Sequence, residues 1–176
     1  MKRTLYLFAA LIALLALAAC GGKGGSASTR PAVQEPAIPP ASERNTVSLT
    51  QEYTTSGGEG RLEVTLAAQS MLDLYQIAGT LRYDESSLQL ERVSQGSFLG
   101  DPAEVVFFQR AEGGRLAFAL TKRRIEPGAI GNGVLLRARF RVLTNQLPEE
   151  PVALEEDLRA RDSLRHRIEL RRGGAK

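Results

Sequence analysis

The chain has 176 residues, 43% hydrophobic and 24% charged, proportions of an ordinary globular protein at a length that suits one domain. Its 23 Lys and Arg against 20 Asp and Glu leave +3, and taking off Lys2 and Arg3, in a segment expected to be removed, leaves +1. That is too little charge to argue for nucleic acid.

The single cysteine excludes an internal disulfide, and its position is informative. Residues 1–20 read MKRTLYLFAALIALLALAAC: two cations, then an apolar run over residues 5–19 that ends in small side chains. This is the pattern of a signal peptide, too short for a spanning helix of about 20 apolar residues. Leu17-Ala18-Ala19-Cys20 resembles the lipobox of bacterial lipoproteins, which implies cleavage before Cys20 and acylation of its thiol and new amino group. Several acyl chains, palmitate among them, anchor stably at about 0.8 kcal/mol per buried CH₂. Gly21 stands where enteric Gram-negative lipoproteins kept at the inner membrane carry Asp. The resemblance therefore implies a lipid-anchored envelope protein, at the outer membrane if the source is Gram-negative.

Residues 20–45 follow as a Gly/Ser/Pro linker with Val33 and Ile38 as its large aliphatics, too few to offset the entropy of ordering. A folded domain is expected over 46–172, with a short basic tail at 173–176. Within it Val47 and Leu49 alternate with polar residues, Gly57-Gly58 breaks the chain, and Leu62, Val64 and Leu66 alternate again. Ile77, Gly79, Leu81 and Tyr83 then alternate with Ala78, Thr80 and Arg82, the signature of a half-buried strand. Asp84 with Ser86 and Ser87 makes a turn, and Leu88 and Leu90 resume. Phe98 and Leu99 are buried-type side chains in a turn region.

Residues 104–109, EVVFFQ, suit a strand covered on both faces. Gly113-Gly114 signals a tight hairpin, and Leu116, Phe118 and Leu120 alternate with Ala117, Ala119 and Thr121. Residues 122–132 read as a loop, and 134–142 as a strand with Arg137, Arg139 and Arg141 on its wet face. Residues 154–170 read two ways. Glu155 with Arg159 and Asp157 with Arg161 have helical spacing, yet Leu164, His166, Ile168 and Leu170 alternate strictly. The alternation argues for two strands with a turn at Asp162-Ser163. Eight or nine short strands at this spacing predict an all-β sandwich.

Residues 47–171 resemble the cohesin domain, a nine-stranded jelly-roll sandwich that shares some motifs with carbohydrate-binding sandwiches. Three stretches carry the resemblance: Leu81-Arg82-Tyr83-Asp84 before Ser87-Leu88; Val93 to Gly96 leading to Phe98-Leu99; and Gly114 to Leu120 followed by Gly131 to Leu135 and Phe140 to Val142. Cohesins bind dockerin modules, so the resemblance implies a non-enzymatic protein-binding module with no cofactor. Its partner would be dockerin-like or a component of a secretion or surface assembly. The sequence departs from dockerin-binding cohesins at Gln76 and Ala78, where those often carry Asn and Asp. Lys122 and Ile125 stand where one subtype has Glu and Gly. These departures argue against a standard dockerin as the ligand.

No catalytic set is evident. His166 is the only histidine, so a His-dependent triad or multi-His metal site lacks its ligands. The clusters at Glu149-Glu150 and Glu155-Glu156-Asp157 lack a Gly-centred calcium loop. Trp is absent, which weakens the alternative of a carbohydrate- or peptidoglycan-binding lipoprotein without removing it. The resemblance assigns partner recognition to the sheet holding the Gln76–Arg82 stretch. Parity then exposes Gln76, Ala78, Thr80 and Arg82, with Ala117 and Ala119 beside them. The polar Gln109 argues that Phe107, of its parity, faces solvent too. Lys122, Arg123 and Arg124 would form a basic rim. The alternative for the same residues is a solvated sheet with a charged edge.

Overall fold

The computed structural model describes residues 40, 41, 43–124 and 127–173. The signal peptide, Cys20, most of the linker, Ile125 and the last three residues lie outside the described residues. All regular structure among the described residues is β, in two stacked sheets. The first sheet has the order β11-β1-β2-β7-β4, built from β11 (Arg171–Arg172), β1 (Thr46–Ser56), β2 (Glu59–Leu74), β7 (Ala129–Val142) and β4 (Leu88–Gln95). The second has the order β10-β9-β3-β6-β5, built from β10 (Arg167–Ile168), β9 (Arg159–Arg161), β3 (Gln76–Tyr83), β6 (Arg115–Lys122) and β5 (Val105–Glu112). A further short strand, β8 (Val152–Leu154), also pairs with β3. The last strand lies parallel to the first, Thr46 opposite Arg171, which closes the jelly roll.

The core is the sum of the alternating faces. Leu62, Val64 and Leu66 of β2 and Leu136, Ala138 and Phe140 of β7 point inward. Ile77, Leu81 and Tyr83 of β3 and Leu116, Phe118 and Leu120 of β6 are buried with them. The Tyr83 and Phe140 rings lie 5.0 Å apart at a tilted angle, joining the two sheets. Burying a large apolar side chain stabilises by about 1.5–3 kcal/mol, so these faces dominate folding.

The turns follow from residue chemistry. Gly57-Gly58 and Gly113-Gly114 all have φ between 57° and 83°, as two-residue hairpins require. Asp84 accepts hydrogen bonds from the Ser86 N–H and from both serine hydroxyls, forming the expected turn. These bonds, the Ser86 hydroxyl first, hold its pKa below the ordinary value. Strand β2 carries three register shifts, and its inward set steps from Ala68 to Met71 to Leu74. The displaced Ser70 and Leu72 N–H groups donate to the side chains of Asn132 and Asn45.

Two details differ from the sequence reading. The described residues hold eleven strands rather than about nine, because the chain after Pro151 is cut into four short pieces. The strand reading of residues 154–170 agrees with the structure, β9 and β10 flanking the turn at Asp162-Ser163, and β8 and β9 pair with opposite ends of β3, at Leu81–Tyr83 and Gln76–Ala78. Strand β7 begins at Ala129, so the loop before it is shorter than expected.

One carboxylate ties the end of the sandwich. Asp73 accepts from the Ser163 hydroxyl at 2.6 Å, from the Ser163 N–H at 3.2 Å and from the Gly128 N–H. Burial pushes its pKa up, but these bonds, with the nearby Lys122 charge, outweigh burial and hold it below the usual value. A depressed carboxylate contributes stability that is complete above the unfolded pKa of about 3.9 and is lost as pH falls through the folded value. Asp73→Asn is therefore expected to destabilise at neutral pH, with the gap to the parent closing below about pH 4. Urea unfolding at pH 7 and pH 3 checks this, and a gap independent of pH would contradict it.

Candidate functional site

The two sheets present different outer faces. On the first, Glu63 of β2 lies 3.9 Å from Arg137 and 3.8 Å from Arg139 of β7, so charges of both signs cover it. On the second, the register of β5, β6, β3 and β9 sets the side chains in rows. Val106, Thr121, Gln76 and Arg161 form one row, and Phe108, Ala119, Ala78 and Arg159 the next. A third runs Arg110, Ala117 and Thr80. The face is therefore apolar at Val106 and Phe108 of β5, with the Arg110–Glu112 pair toward the hairpin, small through β6 and β3, and basic along β9. Phe108 is 56% exposed and Val106 46%, large for apolar residues on one strand.

The sequence-predicted residues divide accordingly. Gln76, Ala78, Ala117 and Ala119 lie together in the middle of this face, half-buried, with Arg82 exposed at one end.

Phe107 is corrected. It packs against the core with buried Val105, while Val106 and Phe108 face out, so the inferred strand parity was inverted. Nor is β5 covered on both faces; it is an edge strand with one open side. Gln109 lies toward the hairpin end of β5, where even the inward parity is exposed, and its polarity was a poor guide.

Thr80 is also corrected: it is buried, with its N–H and hydroxyl donating to Asp157 at 3.1 and 2.7 Å. Residues 155–158 leave the ladder between β8 and β9, and Asp157 covers Thr80 there. The Glu155 N–H donates to the Thr80 carbonyl at 2.9 Å. Leu158 packs over Gly79, where an added Cβ would lie 2.8 Å from its Cδ1.

The expected rim is only partly there. Lys122 has the inward parity of β6, and its ammonium donates to the Pro127 carbonyl at 3.3 Å. Arg123 and Arg124 are exposed beyond the strand end. The basic edge instead includes residues that sequence reasoning missed. Arg159 and Arg161 of β9 face out with Ala78 and Gln76, and Arg167 of β10 stands directly opposite Arg161. With Arg165 in the intervening turn they line a groove at the sheet edge.

Among the described residues no group of three or more His, Cys, Asp or Glu is arranged to hold a metal ion. His166 ends the β9–β10 turn, exposed, its Nδ1 3.3 Å from Asp162.

No family model matches the chain, and no curated protein matches it. Solved structures do. A non-cellulosomal cohesin from Archaeoglobus fulgidus is 19% identical, with a TM-score of 0.56 over 72% of this chain and 86% of that one. The second type II cohesin module of an adaptor scaffoldin from Acetivibrio cellulolyticus is 13% identical, with a TM-score of 0.60 over 74% and 94%. The sixth cohesin of another scaffoldin from that organism, solved in complex with a dockerin, is 18% identical, with a TM-score of 0.60 over 74% and 94%. At these identities the likeness concerns the fold. The chain has a cohesin-like jelly-roll fold.

Proposed function

We propose that this chain is a non-enzymatic, lipid-anchored module that holds a protein partner at the bacterial envelope through the outer face of β5, β6, β3 and β9. The observation that carries the reading is the contrast between the two outer faces. One carries charges of both signs around Glu63, Arg137 and Arg139; the other joins an exposed Phe108 to a flat strip of Ala119, Ala117 and Ala78. Small side chains let a partner's backbone approach closely, and an exposed aromatic beside them is an interface anchor. The dockerin complex of a cohesin with this fold supports the same kind of use. A dockerin-like protein or a component of a secretion or surface assembly fits the reading. A polysaccharide fits it less well, because Phe108 and Tyr53 are single exposed rings rather than a platform.

Site-specific photo-crosslinking in the native host tests the docking face. A photoreactive residue at Ala119 is expected to give a protein adduct, and one at Thr50, on the opposite sheet, none. Adducts from Thr50 alone would overturn the reading. The anchor is tested separately. Cys20→Ala is expected to leave unprocessed or soluble protein, because cleavage signal and acylation site are lost together. A variant still processed and acylated would refute the anchor.

A further inference from the structure

We infer that the partner is an amphipathic protein segment, acidic where it meets β9 and β10 and apolar where it meets β5; this rests on the docking reading above. The evidence is a cluster of arginines along β9, β10 and their turn that largely lacks carboxylate partners among the described residues. Elsewhere on the same sheet Arg110 and Arg115 pair with Glu112 and Glu155. On the first sheet Arg137 and Arg139 share Glu63, and Arg61 lies 3.6 Å from Glu59. On the second, among the described residues, Arg159, Arg161 and Arg165 have no carboxylate within 4.0 Å. Arg167 has only the exposed Glu169, at 3.6 Å.

The nearby carboxylates are engaged elsewhere. Asp157 accepts from Thr80, Glu155 pairs with Arg115, and Asp162 accepts from the His166 N–H. Glu156 is the acidic side chain left along the groove. Meanwhile Arg161 and Arg167 stand directly opposite on paired strands, a like-charge arrangement that disfavours the isolated fold and that a bound anion relieves.

A phosphate polymer or lipid headgroup would satisfy the arginines and leave Phe108 unused. A protein segment uses both, because Phe108 and Arg159 occupy the same row. They stand three strand spacings apart, about 14 Å. A helix crossing the strands spans that distance in about nine residues, and the same-face spacings that bracket it are about seven and about eleven positions. The partner therefore presents a large apolar side chain and one or more carboxylates at that separation.

The test pans a displayed library of helical peptides, randomised in acidic and apolar positions, against the full-length protein. Recovered peptides are expected to carry an aromatic or large aliphatic residue and Asp or Glu on the same helix face, about seven or about eleven positions apart. Their affinity should fall about tenfold or more for the double variant Arg159→Glu, Arg161→Glu, and should weaken as salt rises. A thermal melt confirms that the variant is folded, with Arg159→Ser, Arg161→Ser as the substitute if it is not.

Peptides lost with Ala78→Arg but indifferent to the arginine variants overturn this inference and leave the docking reading intact. Peptides lost with the arginine variants, indifferent to Ala78→Arg and displaced by heparin overturn it in favour of an isolated polyanion site. Peptides indifferent to both overturn the docking reading itself.

Discussion

Phe140→Ala is expected to cost about 3–5 kcal/mol of folding stability, the largest single effect in this domain. The ring is fully buried, on the interior strand β7, and meets Tyr83 of the facing sheet at 5.0 Å. Its removal loses transfer free energy and leaves a cavity, because β2 and β4 hold β7 from both sides and prevent collapse. A domain typically has about 5–15 kcal/mol in total, so the variant would be marginal. The urea midpoint measures it. A loss below about 1 kcal/mol would mean that this ring does not join the sheets as described.

Phe108→Ala is expected to do the reverse of a core truncation. The side chain is 56% exposed on an edge strand, so stability should change by no more than about 0.5 kcal/mol. Binding to the crosslinked partner should weaken by about 2 kcal/mol or more, because the ring is the large apolar group on the face. Phe107→Ala, beside it, removes a side chain packed on the core and should lower the melting temperature instead. Paired melts and titrations of the two variants decide which ring faces the partner. If Phe107→Ala spares the melt and Phe108→Ala unfolds the domain, the assigned orientation of β5 is wrong.

That orientation was legible in the sequence through a signal other than the one used. Gly113-Gly114 makes a two-residue turn, so Glu112 pairs with Arg115, and counting back sets Phe108 opposite Ala119 and Phe107 opposite Leu120. Since Leu120 is core and Ala119 is not, the hairpin register decides the parity without reference to Gln109. Elsewhere simple alternation sufficed: Ile77, Leu81 and Tyr83 point inward, and Arg137, Arg139 and Arg141 outward.

The C-terminal stretch resisted reading for a physical reason. Strands of two or three residues have no measurable period, and β8 and β9 exist because β3 offers them unpaired backbone. The burial of Thr80 had no local signal either. Its partner, Asp157, is 77 residues away and reaches it only because the chain leaves the ladder there. The arginines of β9 and β10 were unassigned for the same cause, since their face follows from pairing with β3 and with each other.

The central claim is that partner binding uses the outer face of the second sheet. Binding of the crosslinked partner to Ala78→Arg and Thr50→Arg, measured side by side, tests it most directly. Both positions lie on outer faces, so neither substitution should unfold the protein, and each adds the same charge and bulk. Ala78→Arg should abolish binding by holding the partner off the flat strip between Phe108 and Arg159, while Thr50→Arg should bind as the parent does. Full binding by Ala78→Arg, or loss with Thr50→Arg alone, would contradict the account.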